Sequence, residues 1–348
     1  MKTNPATSRQ RRLAGLIAAS ALVLASCGDS SPEPAAAPEA RTDVPEPAVA
    51  PSDNVAPAGR VVTLGGGEPE GLAFDPVTGL VAVALRKPDA IALVDLASGV
   101  EKARVPLGGP ARHLQLERPG GPVLAPSESN DRLYRIALPG GEVVGDTPVG
   151  RQPHDAAPAA GGVVFVGDEL ADTVRVVAPD GTSRVVPGPV QPGGVAASAD
   201  GSVAVVVGVR GRLIQAYAPD GRSLGTSPCG IGPTHVRAGA GRLFYVADTQ
   251  GGAILVFEAG DDGIRQVGQV STDGGAPYGL AVDNARGVLY VTLTETNELR
   301  SFRIDGARLT SDRTWPTVAQ PNDVAVDEKT GRVVVAGTAA GLLQLLDP

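Results

Sequence analysis

Seven copies of a short phrase, at intervals of 42, 42, 39, 41, 44 and 44 residues, predict an all-β fold: a seven-bladed β-propeller of four-stranded antiparallel blades. The copies are Pro69-Glu-Gly-Leu-Ala-Phe, Ala111-Arg-His-Leu-Gln-Leu, Pro153-His-Asp-Ala-Ala, Pro192-Gly-Gly-Val-Ala, Pro233-Thr-His-Val, Pro277-Tyr-Gly-Leu-Ala-Val and Pro321-Asn-Asp-Val-Ala-Val. Only the second departs, because Pro110 sits one place early. Composition agrees: 46 Gly and 31 Pro with 3% aromatic residues suit many short strands joined by tight turns.

Residues 1–26 read as an export signal. Lys2, Arg9, Arg11 and Arg12 form a cationic start, and the apolar run over 13–24 is too short for a stable membrane-spanning helix. The segment ends in Leu24-Ala25-Ser26-Cys27, which resembles the lipobox of bacterial lipoproteins; that resemblance implies cleavage before Cys27 and acylation of it. The expected location is the extracytoplasmic face of the cell membrane, with the lipid anchor as the membrane contact. Residues 27–59, rich in Ala, Pro, Glu and Asp, read as a disordered tether that cannot bury enough apolar surface to offset its ordering entropy. Without the signal the chain carries 26 basic and 38 acidic residues, a net −12, which argues against nucleic acid as a partner. Cys229 is the only other cysteine, so no intramolecular disulfide is expected.

Residues 60–348 hold the repeats. Each phrase reads as the first strand of a blade. An Asp- or Asn-to-Gly turn follows, as in Asp75-Pro-Val-Thr-Gly79 and Asn284-Ala-Arg-Gly287, supplying the positive φ of a tight hairpin. A second and third strand and a Pro-Asp-Gly or Gly-Gly turn lead to a more polar fourth strand. Identical four-stranded sheets bury both faces only by closing radially. The last repeat lacks a fourth strand, and the strand near Arg60 has no blade of its own, so it is expected to complete blade seven and clasp the ring.

Leu289-Tyr-Val-Thr-Leu-Thr-Glu-Thr-Asn297, with a looser copy at Leu243-Phe-Tyr-Val-Ala-Asp-Thr249, is similar to the YVTN repeat of YncE-like seven-bladed propellers. The resemblance implies the fold over 60–348. It says little of activity, because this family and the neighbouring lactonase-type, NHL-type and streptogramin-lyase-type propellers include both binders and enzymes.

The hairpin turns of the seven copies share one chemistry, whereas the loops on the opposite face differ: Arg86-Lys-Pro-Asp89, Glu128-Ser-Asn-Asp131, Asp168-Glu-Leu-Ala-Asp172, Val209-Arg-Gly211, Asp248-Thr-Gln250 and Thr294-Glu-Thr-Asn297. The working face is expected there. Gly and Ala fill the third and fifth phrase positions of blades one, four and six, as crowding about an axis requires. Polar residues in the other heads mark a channel mouth: Arg112 and His113, His154 and Asp155, His235 and Arg237, and Asp323, with Glu70, Tyr278 and Asn322 alongside. All three histidines of the chain lie in phrase heads.

Two readings follow. One is a binding or scaffolding module, a monomer with no cofactor, taking a small molecule or protein on this face. The other is a metal-dependent lyase or lactonase, with a divalent ion held by His113, His154, His235, Asp155 and Asp323. Streptogramin-lyase-type propellers are similar in using channel histidines with magnesium. Against a metal stand the placing of the histidines in blades two, three and five, so that only two are neighbours, and the positive charge of Arg112 and Arg237. A third class, a redox accessory resembling nitrous-oxide-reductase-like or amine-dehydrogenase-like propellers, would need a bound cofactor. Cys229 reads as a semi-buried lone thiol and Trp315 as outer-strand packing.

Overall fold

A computed structural model describes residues 45–51 and 55–348. Cys27 and the export signal lie outside the described residues. Seven four-stranded antiparallel sheets form the ring, and six of them run in simple sequence order from the inner strand outward. The inner strands are Glu68–Phe74, Gln115–Leu116, Pro153–Pro158, Pro192–Ala197, Pro233–Ala238, Pro277–Asp283 and Pro321–Val326. The second is short, in the one phrase whose proline is displaced, and is extended only by an isolated bridge from Ala111 to Ser127.

The seventh sheet is closed by Arg60–Thr63, which pairs antiparallel with Leu342–Leu346, Arg60 opposite Leu345 and Thr63 opposite Leu342. An apolar cluster occupies every junction between adjacent blades, including the one where blade seven meets blade one. There Val81, Val83 and Leu85 pack against Val334, Ala336 and Leu343. A blade sheet is therefore covered on both faces, which is why its strands read as near-continuous apolar runs rather than alternating ones. Among the described residues no helix is long and apolar enough to cross a membrane.

Six phrases begin with proline, and in each of those the inner strand slips register immediately after it, between Pro69 and Leu72 in blade one and between Pro153 and Ala156 in blade three, for example. A proline can start a strand because its missing N–H falls where the ladder is already broken. The bulge frees backbone amides and turns the phrase residues towards the axis. Space there is tight: a Cβ on Gly194 would lie 2.8 Å from Val236 N, and one on Gly279 2.7 Å from Asp323 Cα. The small residues of the phrase are thus set by the approach of the next inner strand.

Two phrase aspartates satisfy the freed amides of the following blade. Asp323 Oδ2 accepts from Leu72 N at 2.8 Å and Oδ1 from Val324 N at 2.9 Å. Asp155 Oδ2 accepts from Val195 N at 2.9 Å and Oδ1 from Ala156 N at 2.8 Å. Asp323 thereby links blade seven to blade one, and Asp155 links blade three to blade four. Arg237 lies 3.9 Å from each carboxylate. Burial pushes the Asp323 carboxyl up to about 6, partly offset by Arg237 and the two amides.

A second repeated device shapes the loops. Asp131, Asp172 and Asn297 adopt left-handed backbone after second strands, a conformation Asp and Asn tolerate. Their side-chain oxygens accept the amides of Gln152, Gln191 and Gln320, each of which precedes a phrase proline. This aims three glutamine side chains at the channel mouth.

Candidate functional site

The three histidines meet on the axis. His113 and His235 have ring centroids 4.2 Å apart in an edge-on arrangement, and His113 and His154 are 4.9 Å apart. The expectation that only two would be neighbours is corrected: inner strands converge on the axis, so blade five reaches blade two across it. His113, His154 and His235 are all buried. Burial first, then each other's proximity and the Arg237 and Arg112 charges, holds His113 well below the usual imidazole range. His235 is depressed likewise, by burial and then Arg237, His154 and Arg112.

His154 Nδ1 donates to Glu169 Oε2 at 3.0 Å, and its Nε2 lies 3.1 Å from His113 Nε2. Only one of those Nε2 atoms can carry the proton they share. His113 Nδ1 and both nitrogens of His235 are buried without a hydrogen-bond partner of good geometry, although a weak contact with the Tyr278 backbone partly offsets the depression of His235. Glu169 also accepts from Gln152 Nε2 at 2.9 Å and Gln191 Nε2 at 2.8 Å. Burial opposes ionisation of Glu169, but the His154 hydrogen bond and charge, with Gln191 and Arg112, outweigh it and hold the carboxyl at about 2.

A chain of charges rims the mouth. Asn322 Nδ2 donates to Glu70 Oε2 at 3.1 Å, Glu70 pairs with Arg86 at 3.4 Å, and Arg86 and Arg112 both donate to Glu128, at 2.9 and 3.0 Å. The arginine charge that argued against a cation is paired, Arg112 with Glu128 and Arg237 with Asp155 and Asp323, but it still acts on the neighbouring histidines. The Tyr278 ring lies tilted with its centroid 4.1 Å from that of His235, and burial raises its hydroxyl pKa, so it stays protonated.

Every residue expected at the mouth lies in or beside the channel, in two tiers. Glu70, Arg112, His113, His154, His235, Tyr278 and Asn322 belong to the mouth. Asp155, Asp323 and Arg237 stand apart from the histidine–glutamate cluster, with the Asp oxygens taken up by backbone amides. The carboxylates that join His154 are instead Glu128 and Glu169, whose ligand atoms lie with those of His154 within 4.8 Å of one another. Two carboxylates and one imidazole suit a hard or borderline divalent ion. Sequence reasoning placed both glutamates in variable loops without pairing them. Their signal was the period itself, since they occupy equivalent loops of adjacent blades. Gln152, Gln191 and Gln320 were missed, though each directly precedes a phrase proline.

A cavity lined by Arg112, His154, Glu169, Gln191, His235 and Tyr278 sits within the cluster. A wider opening at the other end of the channel is lined mainly by apolar strand ends with Gln115, Arg237, Asn284 and Glu328. It gathers few convergent polar groups, so we place the site at the histidine end. Cys229 proves fully buried in the apolar cluster between blades four and five rather than semi-buried, and burial pushes its thiol pKa up. Trp315 packs on the outer strand of blade six, 6.4 Å from Tyr290.

The fold and this site define a β-propeller of seven blades with a polar axial mouth. No protein-family model and no curated protein matches the chain. Solved structures do. A streptogramin B lyase structure superposes with a TM-score of 0.69 at 14% identity, covering 82% of this chain and 97% of that one. Virginiamycin B lyase from Staphylococcus aureus gives 0.68 at 15%, covering 82% and 97%. The β-propeller domain of Cps50 (Swd1) from Myceliophteria thermophila gives 0.70 at 10%, covering 83% and 100%. At these identities the likeness is one of fold.

Proposed function

We propose that this is a lipid-anchored, extracytoplasmic propeller of YncE-like type that binds a small polar ligand at the mouth of its channel. The observation that carries the reading is the meeting of His113, His154 and His235, with His113 Nδ1 and both nitrogens of His235 buried and unpartnered. A buried polar atom without a partner costs about 1–3 kcal/mol, a cost that a ligand supplying the partner removes. The anchoring half rests on the lipobox-like Leu24-Ala25-Ser26-Cys27. The test is a thermal-shift screen of small carboxylates, amines and divalent ions on the full chain, repeated on His154→Ala and His235→Ala. Ligands that raise Tm in the parent and not in the variants support the site. Stabilising ligands indifferent to both substitutions contradict it. Cys27→Ser should release the protein from the membrane fraction; retention would remove the anchoring half.

The Glu128, His154 and Glu169 cluster favours a second reading, a metal-dependent lyase or lactonase-type enzyme. A divalent ion there would polarise a substrate carbonyl. The His113 ring beside it is held uncharged by burial and the neighbouring charges, so it is free to accept a hydrogen bond from a bound ligand. The lyases among the structural neighbours lend this fold-level support only. Elemental analysis after dialysis separates the readings: one equivalent of divalent metal, lost in Glu169→Gln, favours the enzyme, and no retained metal favours the binder.

A further inference from the structure

The mouth is covered by the chain itself. Residues 45–51, Pro-Glu-Pro-Ala-Val-Ala-Pro, lie across it, and Pro45 is buried against the cavity. Ala48 is held through both its backbone polar groups: its N–H donates to Thr294 Oγ1 at 3.0 Å, and its carbonyl accepts from Gln320 Nε2 at 3.0 Å. Glu46 reaches Arg112 at 3.5 Å, extending the charge chain of the rim. Val49 points outward and is 81% exposed. These contacts come from blades two, six and seven, and they read main chain, a charge and a proline in one register. That is how a surface recognises an extended peptide.

The segment is preorganised for this. Pro45, Pro47 and Pro51 fix their own φ, and Pro47 and Pro51 disfavour helical backbone at Glu46 and Ala50, so little chain entropy is lost on docking. The space beneath it is about 20 Å³, room for roughly one water. A larger ligand therefore needs the segment to leave.

We propose that the mouth is a docking site for an extended, proline-rich acidic peptide, and that residues 45–51 fill it in cis as a removable strap. This rests on the reading of the mouth as a binding site and names the chemistry it accepts. The strap is held at high local concentration by its short connection to Arg60, so a free peptide competes poorly with it.

The first test is amide hydrogen exchange in the full chain. Ala48 should exchange at least about tenfold more slowly than in an unstructured peptide, and Thr294→Val or Gln320→Ala should erase that protection without unfolding the propeller. Exchange of Ala48 at the free-peptide rate in the parent would overturn the strap. The second test replaces residues 45–51 by Gly and Ser in the full chain and titrates the labelled heptapeptide Pro-Glu-Pro-Ala-Val-Ala-Pro by fluorescence anisotropy. The replaced chain should bind at least about tenfold more tightly than the parent, and a peptide with Ala in place of Glu should bind less well. Equal binding, or none, by a replaced chain with unchanged Tm would overturn the peptide site. A strap that fails these tests while ligands dependent on His154 are still found leaves the binding reading standing; a docked strap with no such ligand removes the small-ligand reading alone.

Discussion

Replacing Asp323 by Ala should destabilise the ring in a pH-dependent way whose sign is fixed by the structure. Asp323 is 1% exposed, and its oxygens accept the amide of Leu72 across the junction of blades seven and one and that of Val324 in its own strand. Ala leaves both amides buried without acceptors, at about 1–3 kcal/mol each, so the loss is about 2–6 kcal/mol where the parent carboxyl is protonated. Burial pushes the carboxyl up to about 6 in the fold, against the ordinary aspartate value of 3.8 in the unfolded chain. Between those values the native state binds the extra proton, so this group's contribution falls as pH rises from about 4 to about 6, by on the order of 3 kcal/mol. The penalty of Asp323→Ala should therefore be largest near pH 4 and smaller at pH 7. Urea unfolding of parent and variant at both pH values, with m-values compared, measures it. A penalty that is flat with pH, or grows towards neutrality, would refute the reasoning.

Three further outcomes follow from named contacts. His235→Leu removes two unpartnered buried nitrogens and should leave stability unchanged or raise it by about 1–2 kcal/mol, while ligand-dependent Tm shifts disappear; a large loss of stability would show those nitrogens to be satisfied. Glu169 is depressed to about 2 in the fold, so its stabilisation is complete above about 4.5 and is lost as pH falls through 2. Glu169→Gln should flatten the acid limb of the stability curve, and an unaltered limb would count against the His154 pairing. Gly194→Ala places a Cβ 2.8 Å from Val236 N, an approach that forces neighbouring inner strands apart and should cost about 3 kcal/mol or more by thermal unfolding; a neutral result would contradict the crowding of the axis.

The ring was legible because its period is written in chemistry that has few alternatives. Proline tolerated only at a strand start, Gly where strands crowd, and Asp or Asn closing on Gly each recur at the same offset, and the structure gives each a steric or hydrogen-bonding cause. The displacement of Pro110 was visible, but its consequence, an inner strand shortened to Gln115–Leu116, was not. The site was half legible. The histidines stood out by lying in phrase heads, but their contact across the axis is a consequence of radial convergence that linear spacing does not convey. Glu128 and Glu169 looked like loop residues because their meeting depends on two equivalent loops leaning over one channel. Asp155 and Asp323 shared a phrase position with His113 and His235, and linear spacing does not show which of these side chains bonds the amides of the next blade and which faces the mouth.

The chain has 3 histidines, so its imidazole spectrum resolves the proposed site completely. Long-range nitrogen–proton NMR of the full chain, recorded before and after saturation with a ligand that raises Tm, reads that site at the atoms concerned. Concerted shifts of His113, His154 and His235 are the predicted result. Saturation that moves none of the three would contradict a binding site at the channel mouth.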